Sequence, residues 1–191
     1  SNAKLIALVV LAAIVGLVGI GAAYAFVTFE MPVEARDRAV LLTANDLEDW
    51  LEGYAAEPGG ESVTKQRLLD RSVELTYEYD DEEVYISCEV NVETSNRDAK
   101  AVYLGARAGL ALMMSSAELA TEKRPELLEF GDECLCEVIR GEGDLPVGNL
   151  FLCRVGNRVF DLTLVGTCFE EAEQLRELLL PILQRFAVYE P

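Results

Sequence analysis

The sequence predicts an α+β fold: an N-terminal transmembrane helix followed by one domain whose antiparallel sheet of about five strands is packed by helices. Three observations predict it. An uncharged apolar run opens the chain, alternating segments occur in neighbouring pairs, and stretches of helical periodicity separate them. The expected order in the domain is α-β-β-α-β-β-β-α.

Ser1-Asn2-Ala3 reads as a cloning scar and is left out of the fold. Residues 4–29 form the membrane anchor or signal segment. From Leu5 to Phe29 no residue is charged, and at about 1.5 Å per residue the run spans a hydrocarbon core of about 30 Å. Lys4 lies before it and Glu30, Glu34 and Asp37 after it, which keeps the N-terminus inside and sends the remainder out. Ala23-Tyr24-Ala25 also fits a signal-peptidase site, and a helix buried in a soluble domain is the third reading. The expected location is a single-pass cell membrane anchor with residues 30–191 as one extracytoplasmic domain, secreted if the segment is cleaved. Ala12 with Gly16, and Gly19 with Ala23, have the small-residue spacing that lets helices self-associate in lipid.

Beyond the segment, Pro32 and Glu34 suit a helix start, and Val40, Ala44, Leu47, Leu51 and Tyr54 make one apolar stripe. Gly53 and Pro58-Gly59-Gly60 end it. Val73, Leu75, Tyr77 and Tyr79 then alternate with polar residues, and Val84, Ile86, Cys88, Val90 and Val92 repeat the pattern after the acidic turn Asp80–Glu83. Ser95 with Asp98 is a capping-box variant that opens a long, well-buried helix to about Ala120. Strands follow at about 133–140, 148–156 and 158–165, the last two joined by a tight Gly156-Asn157 hairpin. Thr167 with Glu170 is a full capping box for the last helix, whose stripe is Ala172, Leu175, Leu179, Ile182 and Phe186, with a kink at Pro181.

The stretch Gly131-Asp132-Glu133, Gly148-Asn149-Leu150-Phe151-Leu152, Gly156-Asn157-Arg158-Val159-Phe160 and the closing helix resembles the last third of PsbP-like exported domains. The resemblance covers about a third of the chain. It implies that architecture and an accessory or binding role, and it brings no catalytic residue.

Charge and chemistry narrow the function. The chain carries a net charge of −18, and every acidic residue and all but one of the basic ones lie beyond residue 29. Such a field repels nucleic acid and anionic headgroups. With no histidine, a Ser-His-Asp triad is excluded, and no glycine-rich phosphate loop is present. No catalytic, cofactor or metal residues stand out. Asp80-Asp81-Glu82-Glu83 has no calcium-loop spacing and reads as a solvated hairpin tip.

The cysteines offer more. Cys134 and Cys136 point to one face of a strand, and a disulfide between Cys136 and Cys153 forms in one of the two registers weighed. The competing reading makes Cys88, Cys134, Cys136 and Cys153 small apolar core residues. Cys168, placed by the Thr167 cap in a first helical turn, is the candidate reactive thiol.

The function expected from this is a membrane-anchored extracytoplasmic binding or accessory domain, meeting an envelope protein partner or a second copy of itself. A thiol-active redox protein using Cys168 or Cys134/Cys136, and an acidic hydrolase with an unrecognised carboxylate pair, are the alternatives.

Overall fold

The computed structural model describes residues 28–191 apart from 52, 53, 58, 69, 82, 117 and 118. Eight strands form one antiparallel sheet: β1 (Phe29–Glu30), β2 (Glu61–Arg67), β3 (Val73–Asp80), β4 (Tyr85–Val92), β5 (Ala120–Lys123), β6 (Glu133–Arg140), β7 (Pro146–Val155) and β8 (Arg158–Val165). Their order in space is β1-β2-β3-β4-β8-β7-β6-β5. The helices are the short α1 (Ala35–Arg38) and α2 (Ala44–Leu47), then α3 (Asn96–Ser116) and α4 (Ala172–Ala187). Four strands and then a helix therefore occur twice, and the two halves join where β4 meets β8.

This corrects the expected architecture of a transmembrane helix and about five strands. Among the described residues no helix is long and apolar enough to cross a membrane. Phe29, expected to end the span, instead pairs with Arg67 across β1 and β2. The rest of that span lies outside the described residues, together with Ala12, Gly16, Gly19, Ala23 and the Ala23-Tyr24-Ala25 cleavage motif.

The three strands missing from the expectation have physical reasons to be missed. β1 is two residues long, and β5 is an edge strand exposed at all four positions. β2, Glu-Ser-Val-Thr-Lys-Gln-Arg, turns a lysine inward where the pattern requires an apolar residue. The long first helix is also corrected, to two single turns. Val40, Leu41 and Leu42 are consecutive and all buried, which one face of a helix cannot accommodate. The chain straightens there, and a new turn starts at Thr43, whose backbone N–H and hydroxyl both donate to Asp46 Oδ2, at 2.8 and 2.7 Å.

The long helix α3 starts at its expected cap but is not well buried, with Leu104 49 % and Leu112 70 % exposed. Asp98 N–H donates to Ser95 Oγ at the start of α3, although the helix stops at Ser116 and Ala120 already belongs to β5. The β3–β4 tip is organised by Asp81, whose Oδ1 accepts from Glu83 and Val84 N–H and whose Oδ2 accepts from the Tyr79 and Tyr54 hydroxyls. Burial alone would raise the Asp81 carboxyl, but these hydrogen bonds hold it below the usual carboxylate range.

The main core lies on one face of the sheet. Leu75, Tyr77, Cys88, Val90, Phe151, Phe160 and Leu162 pack there against α4 and the Val40–Leu47 segment. Phe160 bridges the Phe151 and Phe186 rings edge-on, with centroids 6.2 and 5.6 Å apart. On the opposite face α3 covers the β6–β8 side. Ala99 and Tyr103 meet Leu152 and Val159, while Met113 and Met114 meet Leu150, Ile139 and Val165.

Gly166, just past β8, has φ +98°, and a Cβ there would sit 1.9 Å from the Glu83 carbonyl oxygen. Gly166→Ala should therefore cost about 2–4 kcal/mol of unfolding free energy. Urea titration measures this, and a loss under about 0.5 kcal/mol would contradict so close an approach.

Candidate functional site

The half of the second face that α3 leaves open is polar by sequence. β3 alternates so that Glu74, Thr76 and Glu78 point away from the main core, and β4 sends Ser87, Glu89 and Asn91 the same way. Strand pairing then gathers acids that are far apart in the chain. Glu89 stands opposite Thr76 on one side and Asp161 of β8 on the other. Glu74 stands opposite Asn91, and Glu93 continues the row past the end of β4. The same face of β2 adds Ser62, Thr64 and Gln66.

Like charges directly opposite each other on one sheet face repel. Burial, with the Glu74 charge beside it, pushes the Glu89 carboxyl up to about 7, although a hydrogen bond from Asn91 opposes the shift. Burial and the Glu89 charge push Asp161 up to about 7. Glu74 is raised by burial and by Glu93. Glu93 is raised to about 7 by burial, then by Asp70 and Asp98. Among the described residues no basic side chain offsets any of the four.

Glu93 is 9 % exposed, and its carboxylate is not an orphaned buried group: every buried side-chain oxygen among the described residues has a partner, so the Glu93 oxygens keep contact with solvent. The neighbouring Glu89 receives a hydrogen bond from Asn91 Nδ2 at 2.5 Å. Glu93 continues a row of three other acids that no basic side chain among the described residues neutralises.

The predicted cysteine sites are placed differently from expectation. All five cysteines are free. A bulge at Ile139/Arg140 sets Arg140 opposite Pro146, so Cys136 faces Phe151 and it is Cys134 that faces Cys153. Cys168 precedes α4, which starts at Ala172 with Glu171 as its cap, so no helix dipole acts on a first-turn thiol there. Its Sγ donates to the Gly148 carbonyl at 3.3 Å, and burial pushes the thiol up to about 11. Among the described residues no group of three acids or cysteines is arranged to hold a metal ion.

Sequence reasoning placed Glu74 and Glu78 on a polar strand face but did not connect them with Asp161. The missing signal was that β8 inserts beside β4 rather than at an edge. Comparison with protein-family models, with curated proteins and with solved structures found no match to this chain, and nothing in it bears on the PsbP-like resemblance.

Proposed function

We propose that this chain is a non-enzymatic binding or accessory domain that holds a lysine- or arginine-rich segment of a partner protein against the Glu74–Glu89–Asp161–Glu93 surface. The observation that carries this reading is the row itself: four carboxyls gathered on one sheet face, raised by burial and by neighbouring acids, with no basic side chain among the described residues to offset them. Ammonium and guanidinium groups supply hydrogen-bond donors and the missing positive charge together. An open strand surface suits an extended chain more than a small molecule. Surface depressions of about 360 and 680 Å³ lie elsewhere, the first between α1, α2 and Arg185 and the second along the outer side of α4.

The hydrolase alternative has one observation in its favour, the opposed Glu89 and Asp161. Their carboxyls are raised together to about 7, whereas acid–base pairs work by being pushed apart into one proton donor and one ionised partner. The binding reading uses both in the same ionised state.

The test is titration of a fluorescently labelled oligolysine peptide at low ionic strength. Glu89→Gln with Asp161→Asn should weaken binding about tenfold, while Glu173→Gln with Glu177→Gln on the outer side of α4 should leave it within about twofold. Equal weakening by both pairs would reduce the effect to net charge and overturn the assigned surface.

A further inference from the structure

The opposite face of the sheet carries a feature independent of the acidic row. Cys134 and Cys153 are direct cross-strand partners in β6 and β7. The hydrogen bonds around them define the pair type. Arg124 N–H donates to the Cys136 carbonyl from the β5 side, so Cys136, and Cys134 two residues earlier, turn their backbone groups away from β7. Gly166 N–H donates to the Val147 carbonyl across β7 and β8. Counting in twos along that register makes Cys153 and Phe160 a hydrogen-bonded pair, so Cys153 turns its backbone groups toward β8.

Cys134 and Cys153 therefore form a non-hydrogen-bonded pair, the closer kind, with Cα atoms about 4.5 Å apart, inside the range a disulfide spans. Cys136 stands two residues along from Cys134, about 6.7 Å away at Cα, near the upper limit of that range. Access separates the three thiols. Cys153 is fully buried and Cys136 nearly so, whereas Cys134 is partly exposed and donates only a long 3.6 Å contact to the Leu128 carbonyl.

We infer that Cys134 and Cys153 form a site of reversible oxidation by low-molecular-weight disulfides, with Cys134 as the entry thiol and Cys153 as the resolving thiol. The Cys134 thiolate attacks one sulfur of the disulfide RSSR, forming a Cys134–SR mixed disulfide and releasing RS⁻. The Cys153 thiolate then attacks Cys134 Sγ and displaces the second RS⁻. The sum is two protein thiols and one RSSR giving one protein disulfide and two RSH, with two electrons passing to the external disulfide. Burial raises the Cys134 thiol and raises Cys153 well above the ordinary value, so the exchange is slow at neutral pH and accelerates as pH rises. The product staples β6 to β7 across the register that already joins them.

The experiment is incubation of the native protein with excess oxidised glutathione near pH 9, quenching with an alkylating agent, and mapping by mass spectrometry. Two of the five thiols should escape alkylation, the glutathione-free protein should lose about 2 Da, and the linked peptides should contain Cys134 and Cys153. Cys136→Ala should react in the same way, and Cys134→Ser should form no link to Cys153. A reaction that stops at glutathionylated Cys134, a Cys134–Cys136 link, or five thiols still alkylated would each overturn the assignment. Peptide binding at the acidic row is a separate measurement, so failure of either reading leaves the other standing.

Discussion

Lys65→Met is expected to lower the unfolding free energy by about 3–5 kcal/mol, the usual cost of stranding one member of a buried ion pair. Lys65 is 3 % exposed, and its Nζ lies 3.0 Å from both carboxylate oxygens of Asp37, which is fully buried. The Tyr189 hydroxyl and the Glu34 backbone N–H also donate to that carboxylate, at 2.5 and 2.8 Å. One carboxylate thus ties α1, the inner face of β2 and the C-terminal residues together.

Without the ammonium, Asp37 would keep two donors and lose its counter-charge. Lys65→Met with Asp37→Asn should recover much of the loss, because the stranded charge goes too. Tyr189→Phe removes one hydrogen bond and should cost about 1–3 kcal/mol. Urea unfolding at pH 7 measures all three, and a Lys65→Met loss below about 1 kcal/mol would contradict a desolvated pair.

The pair also sets an acid limb. Burial by itself would raise the Asp37 carboxyl, but the bonds from Glu34, Tyr189 and Lys65 hold it below the usual carboxylate range. A depressed acid contributes stability that is present above its unfolded pKa, about 4, and is lost as pH falls through the folded value.

Lys65 also shows where sequence patterning stops. β3, β4, β6, β7 and β8 were legible because their inward positions are apolar and recur every second residue, as in Leu75-Thr76-Tyr77. β2 obeys the same period, but its inward residue at position 65 is charged, and its partner Asp37 is 28 residues away. Alternation of apolar residues cannot report a position satisfied by a long-range ion pair.

The cysteine register failed for a different reason. One extra residue in β7, Val147, opposite the Ile139–Arg140 step shifts the pairing of the two strands, and neither turn chemistry nor hydrophobicity displays that bulge in the chain. The cap at Thr167 was a sound local signal overridden by tertiary bonding. The Phe169 N–H donates to Asn149 Oδ1 and its carbonyl accepts from Asn149 Nδ2, which holds this segment extended against β7 until α4 starts. The acidic row was half legible: strand alternation gives its β3 and β4 members, and only the β4–β8 pairing gives Asp161.

Raising the pH from 5.5 to 8 is expected to destabilise the free domain, with a melting temperature lower by about 5–10 °C, roughly 2–3 kcal/mol for a domain of this size. Solvent screening of the partly exposed carboxyls leaves the effect of about one fully held proton rather than three. The sign follows from the acidic row. Glu89, Asp161 and Glu93 are raised to about 7, so between the ordinary carboxylate pKa near 4 and pH 7 the folded state holds protons that the unfolded chain has released. Stability then falls as pH rises through that window, by about 1.4 kcal/mol per pH unit for each extra proton held, and levels off above it. The groups facing the row are Glu74 and Glu78 from β3, with Asp70 and Asp98 beside Glu93, and all of these are acids. The depressed carboxyls of Asp37 and Asp81 change charge only at lower pH and do not cancel the effect.

Glu89→Gln with Asp161→Asn should raise the melting temperature at pH 8 and flatten its pH dependence. A wild-type melting temperature that rises between pH 5.5 and 8 would contradict the row's electrostatics. Bound oligolysine should have the same effect as the substitutions, because its positive charge lets the carboxylates ionise without mutual repulsion. The instability of the free domain at alkaline pH and its affinity for a basic segment thus share one cause, a sheet face whose charge the described residues leave unbalanced.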